Sequence, residues 1–145
     1  MKIVYRLLLI LHLIVGIGAM AGGLEAILNP QSPMGMPTTT LKNSPFTNFL
    51  IPGIILFVVI GLGNIISALV FIFKTKLQGY ISGVISFALV IWIIVQCIML
   101  NDIVFLHVLF FSIGVVQAVL SIAVLFERRQ FPTNIILSLY SKLRR

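Results

Sequence analysis

Four apolar stretches divide this chain, at about residues 5–28, 50–73, 80–100 and 103–126. A helix rises 1.5 Å per residue, so about 20 apolar residues cross the roughly 30 Å hydrocarbon layer of a bilayer. Each stretch meets that length. Inside hydrocarbon a helix satisfies its own backbone hydrogen bonds, and an open strand cannot. The expectation is therefore an all-α fold, a four-transmembrane-helix bundle in a single integral membrane domain. Composition agrees. Hydrophobic residues make up 60% of the chain and charged residues 9%, and mean hydropathy is +1.20. A soluble domain of this size carries far more charge on its surface.

The connections constrain the topology further. Asn101-Asp102 is a tight turn, so the third and fourth spans are expected to be antiparallel neighbours. Residues 74–79 form a short basic link. Residues 29–49, rich in Pro, Thr, Ser and Asn, form the only long loop. Lys2, Arg6, Lys74, Lys76, Arg128, Arg129, Lys142, Arg144 and Arg145 fall on one side of the bundle, and Lys42 alone on the other. By the positive-inside rule both termini are expected in the cytoplasm, in a multi-pass protein of the plasma membrane. The start of the chain also has features of a secretory signal, with Ala19-Met20-Ala21 as a cleavage site. Apolar character continues past that site to Leu28, which suits a full span.

The net charge of +7 is explained by these flanking residues, and nucleic acid is excluded as a partner. Cys97 is the only cysteine, which excludes an internal disulfide and a dithiol redox mechanism. No metal or cofactor is expected, no catalytic residue is assigned, and no metalloprotease, phosphate-loop or nucleophile-elbow motif is present.

Two segments are expected to lie along the membrane surface. In "SPFTNFLIPG", Ser44 suits a helix N-cap, Pro45 the first helical position and Pro52 the first turn of the next helix. This reads as a short interfacial helix on the outer side, then a hinge into the second span. In the tail, Thr133 or Asn134 can cap a helix over residues 133–144. There Ile135, Ile136, Leu139, Tyr140 and Leu143 share one side, giving an amphipathic helix on the cytoplasmic surface. Its basic residues are expected to meet anionic lipid, at about 1 kcal/mol per Lys or Arg.

The stretches "GGLEAILNP", "SPFTNFLIPG", "GLGN" and "IWIIVQ" resemble, in that order, a widespread group of small four-helix bacterial integral membrane proteins. The likeness covers about residues 22–117. It implies fold and membrane compartment and no activity. The chain has His107-Val108 where the group often has Gln-Pro, and Gln117 where it often has Glu, so a role held by those positions does not transfer. A vaguer similarity to DoxX-like four-helix proteins rests on size and helix number.

Polar residues inside the spans carry the functional reading. Glu25 is the only acid within a span, and intramembrane ionisable groups mark functional sites. Gln96 and His107 fall at a similar depth, so Glu25, Gln96 and His107 are expected to form a polar cluster beneath the long loop, or to stand as separate interface residues. His12, Asn64 and Gln117 lie on small-residue faces and are expected to make helix–helix contacts. The leading expectation is a non-enzymatic membrane protein acting as an assembly, regulatory or structural partner. The alternatives are a small transporter or carrier, and an outer-leaflet lipid- or quinone-binding protein using the Glu25, Gln96 and His107 region. Its protein partners would be a second copy or another membrane protein.

Topology is testable directly. With Cys97 replaced by Ser, single cysteines at Thr39 and Ser141 should respond oppositely to an impermeant thiol reagent on intact cells. Thr39→Cys should be labelled and Ser141→Cys spared; the reverse pattern overturns the positive-inside assignment.

Overall fold

The computed structural model describes residues 1–144; Arg145, one of the basic residues counted above, lies outside them. The chain is 79% helical with no strand among the described residues. Four helices are long and apolar enough to cross a membrane: α1 (Lys2–Leu28), α2 (Leu50–Ile72), α3 (Gln78–Leu100) and α4 (Phe105–Glu127). A shorter helix, α5 (Thr133–Leu143), follows. The four long helices form a ring in which α1 packs on α2 and α4, and α3 packs on α2 and α4. They alternate in direction. One end of the bundle gathers the N-terminus, the α2–α3 link and the α4–α5 link, and is called the basic end. Residues 29–49 and the α3–α4 turn form the opposite, loop end.

The bundle is inverted relative to a soluble protein. Large aliphatic side chains such as Ile10, Ile17, Ile66, Ile91 and Val119 are exposed around its girth, whereas His12, Asn64, Ser67, Ser82, Ser86, Gln117 and Ser121 are fully buried. Lipid does not drive helices together, so close approach of small residues and buried polar contacts must do so. The α1–α2 contact shows the first of these. A Cβ on Gly23 would lie 2.6 Å from the Phe57 backbone nitrogen and 2.8 Å from the Gly53 carbonyl oxygen. A Cβ on Gly53 would lie 2.7 Å from that of Ala26, and one on Gly61 would lie 3.1 Å from the Met20 backbone nitrogen.

Between Leu56 and Leu62, α2 widens into a π-helical segment. This unusual stretch sits beside α1 and ends just before Asn64. The flanking parts, Leu50–Ile55 and Gly63–Ile72, are α-helical. Nothing in the apolar periodicity of the sequence marks the wider turn. The helix ends are clearer. α2 closes with Lys74 N–H to Phe71 O at 3.3 Å and Thr75 N–H to Val70 O at 3.1 Å, the paired bonds of a Schellman motif. Lys74 takes φ +52°, and Arg129, at the equivalent place after α4, takes φ +48°. Glycine is usual at that left-handed position.

The loop differs from expectation in one respect. Ser44 does not cap a helix, and residues 44–49 run through a series of bends. Instead Ser44 Oγ accepts from Phe46 N–H at 3.3 Å and donates to Leu41 O at 3.0 Å, while Asn48 Oδ1 accepts from Leu50 N–H at 3.0 Å. These local side-chain turns compete with a helical start. The short helical pieces lie earlier, as 3-10 turns at Pro33–Gly35 and Thr38–Leu41. Phe49 N–H donates to Pro30 O at 2.9 Å and closes the loop base. The Phe49 ring is buried with Ala26, Leu41 and Met99, and Pro52 lies in the first turn of α2. The punctuation of "SPFTNFLIPG" therefore clamps the loop and starts α2.

At α5 the expected caps are displaced: Pro132 holds the N-cap position. Thr133 lies inside the helix and donates from Oγ1 to Leu125 O at 2.9 Å, tying α5 back to α4. Ile135, Ile136, Leu139, Tyr140 and Leu143 remain exposed.

Gly23→Val should destabilise the protein by about 1–3 kcal/mol, the range for overpacking a tight contact. Gly18→Ala should be nearly neutral, because its Cβ meets only the Phe110 ring edge at 3.4 Å. Equilibrium unfolding in mixed micelles compares the two; equal effects would deny the α1–α2 crossing its special closeness.

Candidate functional site

Each long helix contributes to one buried polar network in the half of the bundle nearer the basic end. His12 on α1 places Nδ1 2.7 Å from Asn64 Oδ1 on α2 and Nε2 2.7 Å from Ser82 Oγ on α3. Ser82 Oγ lies 2.6 Å from Ser121 Oγ on α4. Gln117, one turn before Ser121, brings Nε2 to 3.3 Å from His12 Nδ1. The His12 ring also stacks on Phe71, with centroids 6.1 Å apart.

The donors and acceptors can be assigned by elimination. Asn64 Nδ2 donates to Ile60 O at 2.8 Å, so the atom facing His12 is the amide oxygen and His12 Nδ1 must carry a proton. Gln117 Oε1 is buried without a partner. Turning that amide by 180° offers Oε1 to the same Nδ1–H and resolves the mismatch of two facing donors. The hydroxyl chain then has two arrangements that differ by one proton. If Nε2 accepts, the ring is neutral and the Ser82 hydroxyl donates to it. If Nε2 also donates, the ring is cationic, Ser82 donates to Ser121, and Ser121 donates to Gln117 O at 2.7 Å. Only the second arrangement uses every short contact with a proper donor. The network is thus a closed set of short polar contacts to which all four long helices contribute.

The other residues singled out in the sequence lie toward the loop end. A cavity of about 440 Å³ opens there, lined by Gln96 and His107 among mainly apolar groups. Glu25 is only half-buried and is not among the lining residues. The structure therefore brings Gln96 and His107 to one cavity and leaves Glu25 outside it. Depth along a helix was legible in the sequence, and rotation about its axis was not. His107 Nδ1 accepts from Val104 N–H at 3.3 Å, so the neutral ring carries its proton on Nε2 and can donate there. The Gly18 and Gly22 face of α1 forms one wall, and Met34, Met36 and Thr40 of the loop form the roof.

Sequence reasoning passed over Ser82, the hub of the hydroxyl chain. The signal was present: Gln78, Ser82 and Ser86 recur at a spacing of four in an otherwise apolar helix, which aligns them on one face. No family model, no curated protein and no solved structure matches the chain.

Asn64→Leu should lower stability by about 0.6–2 kcal/mol, the range for an interhelical hydrogen bond in a membrane. His12→Phe should cost a similar amount. The double variant should cost less than the sum, because each partner alone strands the other. Detergent unfolding of the four proteins gives the coupling; strict additivity would mean the bond does not contribute.

Proposed function

We propose that this is a non-enzymatic membrane protein that holds an amphiphile carrying a carbonyl group, a quinone or an acyl ester, in the loop-end cavity. The observation that carries this reading is the cavity. About 440 Å³ is within the range of small-molecule sites, and the lining is apolar except for a few polar groups including Gln96, His107 and Asp102. Ligand sites typically combine an apolar wall with a few placed polar groups. The Nε2–H of His107 and the Gln96 amide would donate to a carbonyl oxygen, and Met34 and Met36 supply an adaptable apolar roof.

In this reading the basic end faces the cytoplasm, as the charge bias requires, and the cavity opens in the outer leaflet of the plasma membrane. The α5 helix lies along the inner interface with Leu139 and Tyr140 in lipid. Its hydrophobic face, exposed in the isolated chain, suits that placement. A second copy or another membrane protein could then receive the loaded bundle at its lipid-facing surface.

Trp92 is the only tryptophan and belongs to the core cluster with Val15, Ala19, Ile60, Leu89 and Ile93, five residues that also line the cavity. Its fluorescence should be quenched saturably by a short-chain quinone or, in a second arm, by a brominated acyl ester. Gly22→Leu has room for its Cβ, 3.6 Å from Leu56, and fills the cavity with the rest. It should weaken the saturable quenching about tenfold or more, about 1.4 kcal/mol. Failure of both quenchers, or an unchanged response in Gly22→Leu, would defeat the proposal.

A further inference from the structure

A second cavity, of about 460 Å³, opens at the basic end between the start of α1, the end of α2, the start of α3 and the end of α4. Lys2, Arg6, Lys74 and Arg128 all line it. The whole chain has three acidic residues. Glu25 and Asp102 belong to the loop end, which leaves Glu127, and its carboxylate already accepts from the Tyr5 hydroxyl. Four cations therefore converge with one engaged carboxylate nearby. Their mutual repulsion calls for an anion from outside the chain.

Two further features favour an anion. α1 and α3 both begin at this end, and neither has an acidic residue in its first turn. Their free N–H groups and the positive ends of their dipoles favour an anion. Gln78 also lines the cavity. It is 2% exposed, and its side-chain NH₂ group would donate to a phosphoryl oxygen.

We propose that this cavity is a binding site for the phosphate headgroup of an anionic phospholipid. Below the charges its wall turns apolar at Leu9 and Phe71. A headgroup with acyl chains beneath it requires that gradient, and a free anion does not. Basic pockets between membrane helices recognise lipid phosphates by this combination of charge and depth. The site is separate from the loop-end cavity and does not rest on what that cavity holds. Arg128 has a positioning role as well: its Nη1 donates to Thr75 O at 3.2 Å and its Nε to the Tyr5 hydroxyl at 3.4 Å.

The test is native mass spectrometry of the full chain in neutral detergent, titrated separately with phosphatidylglycerol, phosphatidylcholine and inorganic phosphate. One phosphatidylglycerol should be retained per chain in preference to phosphatidylcholine. Arg6→Gln and Lys74→Gln should each weaken that retention about fivefold. Both residues are exposed, so the variants should fold, which a melting curve verifies. Lys76→Gln with Arg129→Gln removes twice the charge of either single variant, at the same end but outside the cavity, and should leave retention unchanged. Gln78→Leu keeps every charge and should still weaken retention. Equal losses in the cavity and control variants would reduce the effect to diffuse surface attraction and overturn the site. Equal retention of the two lipids would remove its anion preference. Inorganic phosphate binding as tightly as phosphatidylglycerol would make the ligand a soluble anion and overturn the lipid assignment.

Discussion

The closeness of α1 to α2 governs the rest of the bundle. With lipid on every side there is no hydrophobic drive to bring two apolar helices together, so backbone-to-backbone packing has to supply it. Gly16, Gly23, Gly53 and Gly61 permit it: a Cβ at any of these positions would fall within 2.7 Å of a neighbouring atom. This contact commits one small face of α1. Its other small face, Gly18 and Gly22, is met only loosely, by Phe110 and Leu56 at 3.4 and 3.6 Å. Nearer the basic end, His12, Ser82, Gln117 and Ser121 pull α3 and α4 inward through short bonds. Toward the loop end no comparable bond joins α1 to α4 among the described residues. The loop-end cavity is the space left between a tight glycine seam and a polar knot placed further along the bundle.

The two kinds of contact also resist different errors. A glycine seam sets distance and tolerates sliding. A hydrogen-bonded histidine sets register, because Asn64 and Ser82 must meet opposite edges of one ring. The Asn64 amide can do so because its Nδ2 is fixed on Ile60 O, in the π-helical segment that precedes it. The wide turn and the polar network are therefore adjacent parts of one arrangement, and π-bulges often accompany functional positions.

What was legible in the sequence follows from which properties are one-dimensional. Helix length and hydropathy gave four spans whose observed ends differ from expectation by at most three residues. The small-residue face that carries His12 also carries Gly16 and Gly23, where α2 comes closest. The punctuation at Pro45, Pro52 and Gly53 marked a real boundary, although Ser44 turns the chain through its hydroxyl instead of capping a helix. Properties that depend on rotation were not legible. Glu25, Gln96 and His107 share a depth, yet only two of them reach the same cavity. His12 and Gln117 are separated by 105 positions, and no local pattern predicts that they meet. The basic residues were read as flanking charge, which they are. Their convergence on one cavity requires the starts of α1 and α3 to meet the ends of α2 and α4.

The two cavities face opposite ends, and what separates them bears on holding versus transport. Along α1 the basic-end cavity reaches Leu9 and the loop-end cavity reaches Val15, an interval of about 9 Å at helical rise. His12 fills it together with Asn64, Ser82, Gln117 and Ser121, all fully buried. A polar molecule the size of either cavity would have to break the bond of His12 to Asn64 and separate α3 from α4 to pass. Alternating access does this by rocking one half of a bundle against the other. Here His12 bonds to a residue on each of the other three helices, and Ser82 joins α3 to α4, so α1 cannot rock against the rest without breaking the network. The septum therefore keeps the two cavities apart, so that whatever occupies one end of the bundle has no open route to the other.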